Sequence, residues 1–203
     1  MPSASRPFHR GLDRATVVRA ALVVADRDGA SALTMRRVAA ELEVEAASLY
    51  AHVRNKDDMV AGLLDLVLDA IEIPAPGPTT RDWLLAGLTA YRRTLLDHPG
   101  AFALMTSRAT MSPAQFRLVD ALIGVLEEAG LSTTDAVLAE VTLVAYVLGF
   151  VTQELRRSPA IGPDTLRPYP ALQRAVPALV TTPVDDRFTR GIDTILRGLG
   201  IAT

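Results

Sequence analysis

Seven side chains between positions 36 and 56 carry the chemistry of this chain: Arg36, Ala46, Ala47, Ser48, Tyr50, His52 and Lys56. They mix small, hydroxyl, aromatic and basic groups, a set suited to a nucleic-acid surface. A guanidinium such as Arg36 can fork onto guanine O6 and N7, and alanine methyls can meet thymine methyls. The Lys56 ammonium and the Tyr50 hydroxyl are better suited to phosphate, where they fix register without choosing sequence. Two competing readings stand beside these: Tyr50 as a packing residue with an exposed hydroxyl, and His52 as a cap or an orienting group. Arg37 falls on the solvated face.

What must position these groups is the segment TMRRVAAELEVEAASLYAHVRNK, Thr34 to Lys56. Met35, Val38, Ala39 and Leu42 recur at helical spacing. A turn of three or four residues follows, and Leu49 and Val53 point a second short helix inward. That is helix-turn-helix spacing, and it presents the second helix to a major groove.

The flanking elements support this unit. Asp13 can cap a first helix, with Leu12 and Val17 placed as a hydrophobic staple and Gly29 as its natural end. Val17, Ala21 and Val24 give that helix one apolar face. A helix from about Lys56 to Ile73, with Met59, Leu63, Leu66, Val67 and Ala70 at helical spacing, leads directly out of the reading head, so its rotation would move the second helix. Pro74, Pro76, Gly77 and Pro78 then break the pattern. The expected division is a DNA-binding domain over 10–57, a connecting helix over 58–73 and a larger domain over 74–203.

Further periodic segments lie near 81–97, 101–107, 112–129, 133–157 and 184–199, with no sustained strand alternation. The fold class expected is all-α, with about nine or ten helices. Val137 to Val151 is apolar nearly all round, too short a run for a membrane span of about 20 residues, and reads as a buried helix. The last helix gathers Phe188, Ile192, Ile195, Leu196 and Leu199 on one side, a stripe that wants a partner; the competing reading is that this helix and the Val137–Val151 helix simply pack in the core of one chain. Six prolines between Ser158 and Val184 argue for an irregular loop there rather than a long helix.

Composition narrows the function classes. The chain has 203 residues, 49% of them hydrophobic and 22% charged, which suits a globular protein and not a disordered one. It has no cysteine, so disulfides, thiolate zinc sites and cysteine nucleophiles are excluded, and a reducing cytoplasm fits. The start, MPSASRPFHRG, lacks the apolar core of a secretory signal and reads as a polar, basic arm. Net charge is −2, but residues 1–57 hold nine Arg or Lys against seven Asp or Glu, a net of +2, leaving −4 for the remainder. So small an asymmetry gives little non-specific attraction to DNA, and a few well-placed cations must supply the phosphate contacts.

The words LTMRRVAAELEVEAASLYAHVRNKDDMV resemble the TetR family of transcriptional repressors, most specifically in LY-x-H-h-x-NK, where h is apolar: here Leu49, Tyr50, His52, Val53, Asn55 and Lys56. LLDHPGAFALM, EEAGLS and VLGFVTQEL extend the resemblance to the regulatory domain of the tetracycline repressor branch. The resemblance implies base contacts from Arg36, Ala46, Ala47 and Ser48 and backbone contacts from Thr34, Tyr50, His52 and Lys56. It implies too a homodimer paired through its two C-terminal helices, an inverted-repeat operator in double-stranded DNA, and release by a small-molecule effector. Two heads related by a two-fold axis must lie about 34–36 Å apart to read successive major-groove faces. Glu43 departs from the family by standing where glycine is usual, a position that often needs positive φ.

The effector expected is not a tetracycline–magnesium complex. Ile71, Gly87, Leu104, Leu122 and Gln153 align near positions where tetracycline repressors hold polar drug and metal contacts, and no histidine lies near Leu104 to anchor a chelate. A more apolar site is expected, with Tyr91, Leu104, Met105, Phe116, Leu122, Tyr146 and Phe150 as candidate walls and Arg92, Ser107, Arg108 and Gln153 as polar contacts. Each of these reads equally as ordinary core. No metal site and no cofactor is expected.

An enzyme is disfavoured, because no P-loop, nucleophile elbow, HExxH or dinucleotide fingerprint is present. Asp97 and His98 are adjacent and do not face each other on a helix. The alternative of a ligand-binding or interaction protein of the same fold with little DNA binding is opposed by the intact Arg36, Tyr50, His52 and Lys56. A cytoplasmic regulator with no membrane partner is the reading that remains.

Overall fold

A computed structural model describes residues 11–75, 77–107, 111–156 and 163–201. Arg108 and the N-terminal arm, both singled out above, lie outside the described residues. These fold into eleven α-helical segments, two of only four residues, and no strand occurs among them. The chain divides into two compact units: Met1–Ile73 with Arg93–Ala121, and Pro74–Arg92 with Leu122–Thr203.

In the first unit, α1 (Arg14–Asp28) starts as its sequence directs, with the Asp13 carboxylate accepting from the Thr16 amide at 2.7 Å, and it ends at Gly29. A single 3-10 turn over Ala30–Ala32 leads to Leu33, which is fully buried. Then come α2 (Met35–Glu41), α3 (Ala46–Leu49) and α4 (Lys56–Asp69). α4 ends four residues earlier than the apolar pattern predicts. Its cap is Asn55, which accepts from the Asp58 amide at 2.9 Å and so marks where the reading head stops.

α1 packs against α4 and against α6 (Pro99–Thr106), burying Val17, Ala21 and Val24 of α1 and Met59, Leu63 and Val67 of α4. Each such valine, leucine or methionine side chain contributes about 1.5–3 kcal/mol by leaving water, and the alanine less. The α6 crossing is close enough that a Cβ on Gly100 would overlap the Ala25 backbone, so only glycine fits there. Asp26 of α1 bonds both ends of this junction, accepting from the Gly100 amide at 2.9 Å and facing His98 Nδ1 at 2.7 Å. His98 thus pairs with a carboxylate far away in sequence and not with its neighbour Asp97.

α5 (Thr80–Asp97) and α7 (Pro113–Glu128) divide between the units at residues 92/93 and 121/122. The second unit also holds α8 (Thr133–Leu155), α9 (Pro163–Leu166), α10 (Pro170–Thr181) and α11 (Val184–Gly198). α10 corrects the expectation of an irregular loop across 158–184. Pro170 occupies its first turn, where no amide donor is needed and φ is already set, and Pro177 is tolerated inside the helix. α10 is solvent-exposed along most of its length, so tertiary packing does not explain its helicity.

α8 extends well past the apolar run of 15 residues seen in the sequence. With 23 residues, it is the one helix among the described residues long and apolar enough to cross a membrane by length and composition. Ala136, Ala139, Leu143, Val147 and Val151 form its buried face in the unit, while Val137, Leu138 and Val141 stay exposed. On α11, Phe188, Ile192 and Leu196 are buried inside the chain's own second unit, while Ile195 and Leu199 of the same stripe are only half-buried.

Candidate functional site

The helix-turn-helix is built on four inward anchors, Val38, Ala39, Leu49 and Val53, each nearly or fully buried. Met35 and Leu42 are half-buried. Opposite them, Thr34, Arg36, Ala47, Ser48, Tyr50 and Lys56 are exposed, while Ala46 and His52 are half-buried. Tyr50 is 57% exposed, which removes the packing reading for its ring. Arg36 and Lys56 have no ion pair or hydrogen bond among the described residues, so their donors are unspent. The Thr34 oxygen accepts from the Arg37 amide at 3.1 Å and caps α2, leaving its hydroxyl proton for an outside acceptor.

The tight turn is a Schellman closure: the Val44 amide donates to Ala39 O at 3.0 Å and the Glu43 amide to Ala40 O at 3.3 Å. Glu43 takes φ 54°, and it alone of the described non-glycine residues has positive φ. The same pair of bonds closes α7 at Gly130 and α11 at Gly200, with φ 97° and 72°. The left-handed position inferred from the sequence is therefore present, occupied by a residue that pays on the order of 1 kcal/mol for it.

The groups that hold this head in place were not found by sequence reasoning. Arg14 makes two 2.9 Å bonds to the Asp58 carboxylate, which also accepts from the Arg54 amide at 2.8 Å. Arg14 reaches His52 O as well, at 3.4 Å. These contacts tie α1, the segment after α3 and the first turn of α4 to one carboxylate, and they hold the Asp58 carboxyl far below its ordinary range. A second network joins α1 to α2. Arg27 bonds Glu41 at 2.7 Å, and Arg37, expected to be merely solvated, pairs with Asp28 at 2.8 Å. Charged residues at these positions were visible in the sequence, but nothing local paired residues 14 and 58.

The candidate effector residues separate by environment. In the second unit, Arg92 is 7% exposed and its donors are spent: two bonds of 2.7 and 2.6 Å to Glu154 and one of 2.7 Å to Asp185. Its guanidinium lies 4.9 Å from the Phe188 ring centre and 5.3 Å from that of Phe150. Tyr146 stacks on Phe188 and its hydroxyl donates to Phe188 O at 3.1 Å. Arg92 is thus a structural knot and not an open ligand contact, although Arg92, Tyr146 and Phe150 do come together. Leu122 is buried, and burial pushes the Tyr91 phenol up to about 12. Gln153 is exposed.

Within the first unit, Leu104 and Met105 are buried on α6 and Ser107 donates to Leu104 O at 2.8 Å. Phe116 is 59% exposed, which does not fit a pocket wall. No group of three metal-ligating side chains is assembled among the described residues.

Described residues that are helical without strands, with an exposed helix-turn-helix in the N-terminal part, define a helix-turn-helix protein. Residues 9–63 match the family of bacterial regulatory proteins, tetR family, and residues 73–202 match the tetracyclin repressor-like C-terminal domain. An HTH-type transcriptional regulator of Saccharopolyspora erythraea is 37% identical over 139 residues, 68% of this chain and 59% of that protein, so the chain spans about three fifths of that relative's length. The class A tetracycline repressor protein from transposon 1721 of Escherichia coli is 29% identical over 91% of this chain and 88% of its own. The crystal structure of ActR from Streptomyces coelicolor in complex with actinorhodin superposes with a TM-score of 0.77 at 26% identity, covering 93% of this chain and 97% of that one. The chain belongs to the TetR family of bacterial regulatory proteins.

Proposed function

We propose that the chain is a cytoplasmic repressor that binds a palindromic operator as a homodimer and leaves it when a small, largely apolar molecule binds. Residues 10–57 read DNA, 58–73 connect, and 74–203 bind effector and partner. The observation that carries this reading is the unspent, outward set Arg36, Ala47, Ser48, Tyr50 and Lys56 on a scaffold whose other face buries Val38, Ala39, Leu49 and Val53. Arg36 chooses bases, whereas Tyr50 and Lys56 hold phosphate and Thr34 adds its hydroxyl.

Homodimer formation is supported by the exposed apolar face of α8. Val137, Leu138 and Val141 are 41%, 60% and 56% exposed, and contiguous apolar surface of this kind marks an interaction site. The effector reading is supported by the actinorhodin complex of ActR and by Tyr91, Leu122, Tyr146 and Phe150 in the second unit. Ile71, Gly87, Leu104, Leu122 and Gln153 offer no magnesium ligand set, which opposes a tetracycline chelate. By linkage, effector weakens DNA binding by the same factor that DNA weakens effector binding.

The test is titration of the purified protein against a duplex carrying an inverted repeat from upstream of its own gene, at several salt concentrations. Specific binding that falls steeply with salt is expected. Tyr50→Ala and Lys56→Ala each weaken it by about 1 kcal/mol while sedimentation still shows a dimer. Wild-type affinity in both variants would refute the assigned roles.

A further inference from the structure

The helices α4 and α7 cap each other. In the first turn of α7, Pro113 has no amide to satisfy, the Gln115 amide donates to Ser112 Oγ at 3.4 Å and the Phe116 amide donates to Ser112 O at 3.1 Å. The Ala114 amide is left over, and it donates to the Asp65 carboxylate of α4 at 3.3 Å. In return, Arg117 Nη2 of α7 donates to Leu68 O at 3.0 Å and to Ile71 O at 3.3 Å, carbonyls at the end of α4. Arg117 Nε lies 3.7 Å from the Asp69 carboxylate.

Neither helix has the charge that its own end calls for. α4 holds no basic residue in its last turn, where Asp69 meets the negative end of the helix dipole, and α7 holds no acidic residue in its first turn. Each receives that charge from the other. All of these groups lie in the first unit, and Leu68, Ile71 and Ala114 at the joint are buried.

α4 is also the helix that follows the helix-turn-helix: Asn55 caps it, Lys56 opens it and Asp58 binds Arg14. It is 14 residues long, so a tilt of about 10° about its C-terminal end carries its first residue through about 3.5 Å. One base-pair step of duplex is about the same, roughly 3.4 Å, and a two-fold pair doubles the shift. We propose that Arg117 is a positioning residue for operator recognition: by gripping the end of α4 it sets the half-site spacing that two paired heads accept. This rests on the reading of the chain as a homodimeric, operator-binding repressor. Carbonyls that need only a donor are served by water or by a glycine cap, whereas a grip on two carbonyls from a neighbouring helix also fixes tilt and rotation.

The test uses the full chain and duplexes carrying an inverted repeat from upstream of its own gene, either intact or with one base pair inserted or removed at the centre. Wild type is expected to bind the altered duplexes at least about tenfold more weakly than the intact one. Arg117→Met keeps the apolar stem and removes the donors, and its penalty is expected to shrink to about threefold or less, chiefly through weaker binding of the intact duplex. Arg117→Lys, which keeps a cationic donor at the same place, is expected to recover part of the penalty. The ratio compares duplexes on one preparation, so a lowered folded fraction leaves it unchanged. Should Arg117→Met not fold, Asp65→Ala removes the other bond of the joint and is read in the same way. A wild-type penalty that persists in the variant, or no penalty in wild type, overturns the assignment of Arg117. Failure of wild type to bind any of the duplexes sinks the repressor reading, and the assignment with it.

Discussion

Arg36 and Arg92 carry the same guanidinium in opposite settings. Arg36 stands exposed on α2 with no partner among the described residues, while Arg92 is buried under two phenyl rings with its donors bonded to Glu154 and Asp185. An arginine is open to recognition only while its donors are unspent. The helix-turn-helix region keeps them free and hydrated, whereas the second unit uses Arg92 to join α5, α8 and α11.

Removing Arg92 should produce the largest effect. Arg92→Ala strands the half-buried Glu154 carboxylate and opens the stack on Phe150 and Phe188, and is expected to cost about 3 kcal/mol in urea unfolding. A loss under about 1 kcal/mol would erase the contrast between the two arginines. Arg36→Ala should do the reverse, leaving unfolding within about 0.5 kcal/mol of wild type. In binding to operator variants it should relax discrimination at one base position of each half-site by about 1–3 kcal/mol. The smallest change expected is a gain: Glu43→Gly relieves the left-handed strain by about 1 kcal/mol in thermal unfolding, and an unchanged midpoint would mean that the turn bears no strain.

The reading head was legible because its information is local. Val38, Leu49 and Val53 are spaced along one short stretch, Asp13 caps a helix within three residues of itself, and Glu43 could be read as standing in a left-handed position. What escaped was the long-range pairing. Arg14 with Asp58, Arg37 with Asp28 and His98 with Asp26 bring together residues whose neighbours in sequence give no hint of a partner. Arg92 was misjudged for a related reason: residue type identifies a charge that needs a counterpart, but not whether the same chain already provides it. At α10 the prolines were overweighted, because Pro170 sits at the one helical position that costs nothing.

The junction at Gly100 and Asp26 has a consequence for how the protein can be cut. The helix that covers one flank of α1 comes from beyond residue 98, so a fragment stopping at Ile73 loses Ala101, Phe102 and Met105 from its interior and bares the end of α1. The helix-turn-helix part therefore shares its core with residues outside 1–73, and cutting at Ile73 is expected to lower its stability. Part of the cover of α1 thus comes from α6, a helix made later in synthesis.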